Sequence, residues 1–517
     1  MLRSFLRLPR VQGGVHPKGF KSDSSTMAIE KLPLPERLYL PLRQHAGADA
    51  IPIVKPGDKV LKGQLLALAP SEISAPVHAS SSGVVREIAL VTAPHPSGLP
   101  AHAIVIEPDG EDRWLETGVS GSPYDVDPLT LADRVAQAGI VGMGGAIFPA
   151  AVKLKQGAKH EIKTVLVNGA ECEPYLTCDD RLMRERAADI IEGARLIRHI
   201  LQAYRIVVAI EDNKPDAIAA MREAAAPFGM VEVQVVPTRY PMGSAKQLIQ
   251  TVTGSEVPAG SRSTSVGVLV HNVGTVYAIY EALSFGRPLI SRVVTVAGDC
   301  VANPRNIEVA LGTPVKNLID ACGGLTADPK RLVLGGPMMG VSLASLDVPT
   351  MKGATGVLAL SKAEVPRAEE SPCIRCTSCV DACPMGLLPL EMASRTRIDD
   401  FDGADEYGLK DCILCGSCSF VCPSHIPLVQ YFQYGKGQQD AKRTAAKKMD
   451  YTVQLSLAKQ QRVDAEKAAK AAAKAAKKAK KTKRVKPTAN TPNTLSDTEK
   501  SASADSNVEV KTEDQAL

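Results

Sequence analysis

Between residues 30 and 110 the apolar positions come in short β-prone runs, interrupted every few residues by turn signals. Residues 51–54 lead into Lys55, Pro56, Gly57 and Asp58; 60–68 follow, then 74–78, then 82–85. Short apolar runs broken by turn signals predict a region of short β-strands. From residue 128 the pattern changes. Apolar runs at 164–167, 206–210 and 231–236 alternate with helical periodicity over 181–204 and 215–226. That β-α-β-α-β order predicts a parallel sheet with helices on both faces, and ligands in such folds lie beyond the carboxyl ends of the strands. From Asp440 to Lys486 alanine and lysine dominate. Alanine favours helix, but the lysines fall on every face and leave no apolar stripe, so a single exposed, partly frayed helix is predicted. Residues 487–517, rich in Ser, Thr, Asp and Glu, are predicted to be disordered.

At 517 residues the chain is too long for one core, and about two to four domains are expected. The net charge of +5 is a property of the tail: residues 435–486 carry +13, whereas 487–517 and 1–434 carry −4 each. The mildly acidic body gives no reason to expect nucleic-acid binding. No apolar run approaches the roughly 18 residues of a membrane span. The N-terminal stretch of residues 1–11 lacks the length and cleavage site of a signal peptide.

Eight of the twelve cysteines lie in two copies of C-x2-C-x2-C-x3-C-P, at Cys373, Cys376, Cys379 and Cys383, then at Cys412, Cys415, Cys418 and Cys422. Three thiolates two residues apart curl round one face of a cuboidal iron–sulfur cluster, and the fourth faces the neighbouring cluster. The pattern therefore predicts two [4Fe–4S] clusters, one on Cys373, Cys376, Cys379 and Cys422, the other on Cys412, Cys415, Cys418 and Cys383. Zinc knuckles lack a third cysteine in each run, and a disulfide framework belongs to small chains in oxidising compartments. Paired clusters pass single electrons, so the segment reads as a wire, and its thiolates need a reducing compartment.

Two loops carry further candidate chemistry. Gly142, Gly144 and Gly145, followed by Phe148 and Lys153, form a glycine-rich turn before a helix, where backbone N–H groups and a lysine can meet a phosphate. A plain turn is the bland alternative. After the 164–167 strand come Asn168, Glu171 and Glu173, polar groups at a strand's carboxyl end. Cys172 and Cys178 beside them read as free structural thiols, and His16, in the turn-rich 1–29 lead-in, as structural.

Together these motifs resemble known families. The 51–85 rhythm is similar to biotinyl and lipoyl carrier barrels, but no lysine stands at the modifiable hairpin tip, so that resemblance implies fold alone. The G-x-G-G-x-x-F-P-x-x-x-K and N-x-x-E-x-E-P loops resemble the flavin- and NADH-binding subunit of respiratory complex I. Tyr240–Leu248 and 271–275 fall where that family has further flavin-contacting loops, and 290–350 resembles its β-grasp insert. The order of parts resembles the C subunit family of Rnf-type ion-translocating electron transport complexes. That resemblance implies a multidomain α/β chain. It comprises a lead-in (1–29), a non-carrying barrel-sandwich (30–112), a Rossmann-like flavin/nucleotide-binding α/β domain (128–285) and a β-grasp, soluble-ligand-binding type domain (286–352). An α-helical two-cluster ferredoxin segment (365–434) completes it, and beyond the resemblance the composition predicts a Lys/Ala-rich helix and a disordered basic tail (435–517).

The resemblance further implies FMN and NADH held by Gly142, Gly144, Gly145, Phe148, Lys153, Asn168, Glu171, Glu173, Asn272 and Thr275. The protein would be a peripheral oxidoreductase subunit on the cytoplasmic face of the bacterial inner membrane. It would pass electrons between NADH, FMN and the clusters, with integral-membrane and ferredoxin-like subunits of the same complex as partners. Membrane contact would run through those partners and the basic tail. No general acid or base is required, because the cofactors carry the chemistry. Four positions depart from the complex I pattern: Ile147 where a glycine is usual, Ala170 for an aspartate, Ala245 for a glutamate and His271 for an asparagine. These departures leave an alternative, an electron-relay or assembly subunit without nucleotide chemistry. A free-standing NADH dehydrogenase is a further option.

Overall fold

A computed structural model describes residues 12–95, 97–118, 121–365 and 369–482. Residues 1–11 and 487–517 lie outside the described residues. The chain divides into two units, 1–439 and 440–517.

The first unit begins with the expected small β architecture. Leu38–Pro41, Pro100–Pro108, Gly83–Thr92 and Lys59–Val60 form one antiparallel sheet, and Ile51–Pro52, Leu65–Leu68 and Val77–His78 a second. Alternation sets the inner face: Leu38 pairs with Ile106 and Leu40 with Ile104, and all four are buried. At Gly83 a Cβ would stand 2.2 Å from the Glu107 carbonyl oxygen, so the close crossing requires glycine.

The parallel sheet runs Val231–Val236, Arg205–Glu211, Thr164–Gly169, Val268–Asn272. The helical stretch expected over 181–204 is two helices, Cys178–Glu185 and Ala187–Leu201, broken at Arg186 (φ −131°, ψ 31°). A single residue turns the axis, where Glu185 accepts the Ile29 N–H at 2.9 Å.

A six-stranded mixed sheet follows: Glu30–Lys31, Arg305–Ala310, Ser291–Ala297, Gly356–Leu360, Arg331–Leu334 and Val341–Ser342, with helix Val315–Ala321. It draws strands from both sides of the 290–350 stretch. One apolar core joins barrel and parallel sheet, from Leu38 and Leu66 to Val165 and Ile197. Lys352 is buried at their junction with the mixed sheet. Its Nζ donates to the carbonyls of Pro76 (2.8 Å) and Gly139 (2.7 Å), and burial lowers its pKa to about 7. The cysteine segment is short helices around Met392, Leu409 and Phe432.

Leu428–Thr482 is one helix of 55 residues. Through Gln439 it buries Leu428 and Phe432 within the first unit. The second unit, described to Thr482, is helix with almost every side chain exposed. Among the described residues, no helix is long and apolar enough to cross a membrane.

Candidate functional site

The strand order places a switch point between Thr164–Gly169 and Val268–Asn272: the first connects outward to Arg205–Glu211, and the second, on its other side, is reached by a crossover from the far-edge strand Val231–Val236. At its carboxyl edge Asn168 and Asn272 are register partners. The glycine loop lies over Asn272: a Cβ at Gly144 would be 3.2 Å from the Asn272 Cβ, while one at Gly145 (φ 116°) would meet open space. The loop is pinned at its ends. Gly142 N–H donates to the Phe148 carbonyl at 2.8 Å, and Met143 N–H to the Thr275 hydroxyl at 2.9 Å. Among the described residues, the N–H groups of Gly144, Gly145 and Ala146 donate to no backbone carbonyl. They precede the N-terminus of helix Ala150–Gly157, which carries Lys153. The Lys153 Nζ donates to the Val270 carbonyl at 3.2 Å, and burial lowers its pKa. His271 beside it is buried, its Nε2 without a partner, and its pKa falls to about 3 through burial and then the Lys153 charge. Three free amides, a helix N-terminus and a lysine fit a phosphate. The residues present therefore suit FMN.

The polar residues of the following loop are committed to one another. Asn168 donates to the Gly243 carbonyl (2.9 Å) and accepts from Ala170 N–H (3.0 Å). Asn272 donates to Asp179 (2.6 Å) and accepts the Gly274 N–H (2.9 Å) at the head of helix Val273–Phe285. Glu171 caps helix Cys178–Glu185, accepting from Asp179 N–H at 2.9 Å and Asp180 N–H at 3.3 Å. Glu173 accepts the N–H groups of Met338 and Met339, each at 3.0 Å. Burial raises the Glu173 carboxyl to about 7 against the pull of those amides. Glu171, Cys178 and Asp179 bring ligand-type atoms within 4.8 Å of one another. Burial and Glu171 lift Asp179 to about 7, and burial holds the Cys178 thiol up.

The eight motif cysteines fall into two groups. Cys373, Cys376, Cys379 and Cys422 line one cavity of about 350 Å³. Cys383, Cys412, Cys415 and Cys418 line a smaller one, walled by Leu387, Met392 and Phe432. The two loops share a backbone: left-handed residues stand at Arg375 and Thr377 in one, at Leu414 and Gly416 in the other. The Ser378 and Ser417 hydroxyls lie 3.4 Å from the Cys376 and Cys415 sulfurs. Four sulfurs round each cavity fit a cuboidal cluster.

Sequence reasoning missed what joins these centres. The Tyr240 hydroxyl donates to the Cys415 carbonyl at 2.6 Å. Cys172 packs with Tyr240, Met338 and Cys415. Residues 13–25, read as a lead-in, are built into the site. Gly14 N–H donates to the Ala382 carbonyl, and Val15 bridges to Tyr240. A Cβ at Gly13 would be 2.3 Å from the Cys383 carbonyl oxygen. The Lys21 Nζ donates to the carbonyls of Glu171 (2.9 Å), Glu173 (2.9 Å) and Leu176 (2.5 Å). The paired glycines at 13 and 14 were the available signal, and they read only as a turn.

Comparison with known proteins gives four successive family matches. The RnfC barrel sandwich hybrid domain matches residues 9–111, and the Nuo51 FMN-binding domain 135–281. The SLBB domain matches 293–342 and the 4Fe-4S dicluster domain 372–426. The C subunit of the ion-translocating oxidoreductase complex of Rhodobacter capsulatus is 48% identical over 429 residues, covering 83% of each chain. This chain belongs to the family of C subunits of ion-translocating oxidoreductase complexes. The Haemophilus influenzae (strain PittEE) member is 43% identical over 88% of this chain and 70% of its own. An NAD+-reducing [NiFe]-hydrogenase in the H2-reduced state aligns at a TM-score of 0.43 and 16% identity, over 63% of this chain and 64% of that one, too slight a likeness to argue from. As a member of the C subunit family, the protein is an electron-transfer subunit of an ion-translocating oxidoreductase, with FMN and two [4Fe–4S] clusters as cofactors. The fold expected from the resemblance, from barrel-sandwich to ferredoxin segment, is the fold found.

Proposed function

We propose that this protein exchanges electrons with NADH at the switch point and passes them singly through its two clusters to a membrane-embedded partner. Binding falls to the free amides of Gly144, Gly145 and Ala146, with Gly142 and Phe148 closing the loop and Lys153 supplying the positive charge. Asn168 and Asn272 form the floor, and Thr275 fixes the loop from below. Glu171 and Glu173 act by holding backbone: one caps a helix, the other ties the loop to Met338 and Met339. FMN, when bound, supplies the exchange between hydride and single electrons.

The observation that carries the route is the Tyr240–Cys415 hydrogen bond, which joins the flavin-side loop to a cluster loop. The cluster on Cys383, Cys412, Cys415 and Cys418 is then the first acceptor. The cluster on Cys373, Cys376, Cys379 and Cys422 is the terminal one, because Cys373 and Cys376 are exposed and a partner can approach them. The protein works peripherally on the cytoplasmic face, with integral-membrane and ferredoxin-like subunits as partners. The basic residues of the long helix attract anionic lipid, at about 1 kcal/mol per residue near the surface. Domain limits at 30–112, 128–285, 286–352 and 365–434 belong to the same reading, with Glu30–Lys31 and Gly356–Leu360 joining the mixed sheet from outside 286–352.

A second reading, relay or assembly without nucleotide chemistry, is favoured by the internal commitment of Glu171 and Glu173. An anaerobic NADH titration of the reconstituted protein separates the two. Flavin bleaching together with reduced [4Fe–4S] EPR signals is expected. Clusters that reduce with dithionite but not with NADH would establish the relay.

A further inference from the structure

A cavity of about 380 Å³ lies where the barrel, helix Val273–Phe285 and the mixed sheet meet, with Met143, Asp179 and Gly274 of the switch-point surroundings in its wall. Its size suits a small organic molecule. The polar groups that line it divide unevenly. Every carboxylate has a partner: Asp112 has Lys62, Asp179 has Asn272, Glu281 has Arg287 and Glu308 has the Ser291 hydroxyl. Among the described residues, two lining donors whose polar atoms are fully buried have none. They are the Nε of Arg292, a residue 7% exposed, and the hydroxyl of Ser80, 2% exposed. Unsatisfied buried donors of this kind cost about 1–3 kcal/mol each, and what they lack is an acceptor. Lys31, Arg186 and Arg287 are the charged lining residues open to solvent. A basic rim draws anions. Between rim and Arg292 the wall is apolar, including Leu32, Leu34, Leu182, Ile290 and Val293.

We propose that this cavity binds a small organic anion with an apolar body, its acidic head on Arg292 and Ser80. The site bears on the flavin loop, a consequence that rests on the function proposed above. The Arg292 guanidinium that would take the anion already holds the Met143 carbonyl at 3.0 Å, and Met143 is part of the glycine loop.

The test uses the purified full-length chain and anilinonaphthalene sulfonate, an aromatic anion that fluoresces in apolar surroundings. Trp114, the chain's single tryptophan, lines the cavity, so bound probe is excited by energy transfer from it. One saturable site with Trp114 transfer is expected. Arg292→Met should weaken it at least about tenfold, as loss of a charged hydrogen bond implies. Ala278→Phe, which fills the wall from helix Val273–Phe285, should abolish it without removing any polar partner. Decanoate should displace the probe and inorganic phosphate should not. Absence of saturable binding, binding without Trp114 transfer, or binding indifferent to Ala278→Phe would each overturn the proposal. The readout involves neither flavin nor NADH, so it fails or succeeds independently of the function proposed above. FMN affinity measured with and without probe then tests the link through Met143.

Discussion

Glu173 makes stability fall as pH rises through neutrality, and the size of the effect can be worked from its surroundings. Its carboxylate oxygens accept the Met338 and Met339 N–H groups, tying the parallel-sheet domain to the loop that ends strand Arg331–Leu334. Those bonds favour the charged form, but burial outweighs them and raises the pKa from 4.5 to about 7. The folded state therefore holds this proton more tightly than the unfolded chain. The resulting stabilisation is complete below the unfolded value and is lost as pH rises through the folded one. At 1.36 kcal/mol per pH unit, the interval corresponds to about 3 kcal/mol. Urea unfolding at several pH values between 4.5 and 8, in wild type and Glu173→Gln, measures it. Wild type should lose about 2–3 kcal/mol more than the variant over that range, since glutamine does not titrate. Parallel pH profiles would refute the reasoning, and so would a wild type that gains stability towards pH 8.

Three more measurements probe the rest of the site. Lys153→Met removes the cation under the glycine loop and should weaken FMN binding by about ten- to a hundredfold in a fluorescence titration, the worth of one charged hydrogen bond. Cys383→Ser should abolish the EPR signal of the cluster on Cys412, Cys415 and Cys418 while sparing the other; the reverse loss would show that each motif ligates its own cluster. Tyr240→Phe leaves the buried Cys415 carbonyl without its donor and should cost about 1–3 kcal/mol, read as an earlier denaturant midpoint for cluster bleaching. An unchanged midpoint would remove Tyr240 from the link between the centres.

What the sequence displayed was whatever repeats locally. The alternating runs of the barrel, the parallel strands and the spacing of the cysteines are periodic or short-range, and each element stands near its expected place. The groups that close the site are not periodic. Lys21 reaches Leu176 across 155 residues and Tyr240 reaches Cys415 across 175, so nothing near either residue in the chain announces its partner. Glu171 and Glu173 show the converse. Their position at a strand end suggested ligand contact, yet a carboxylate that caps a helix or gathers loop amides has the same local sequence.

Ile147 shows how a broken local rule can be compensated elsewhere. The sequence marks it as a residue standing in a glycine slot, and the backbone there keeps the glycine conformation, φ 47°. A β-branched residue in the left-handed region is strained, by about 1–2 kcal/mol. Two contacts offset that cost. The Ile147 carbonyl accepts the Ala46 N–H at 3.0 Å. Its side chain packs towards the barrel-side core and over Gly353, where a Cβ would stand 2.5 Å from the Ile147 Cδ1. The space that glycine would have provided at 147 is provided at 353. The bulk therefore faces Gly353 and the barrel, leaving the open side of the loop at Gly145, where a Cβ would touch nothing. Substitution in the glycine motif thus ties the loop to the barrel and mixed-sheet domains while leaving three amides free for an anion.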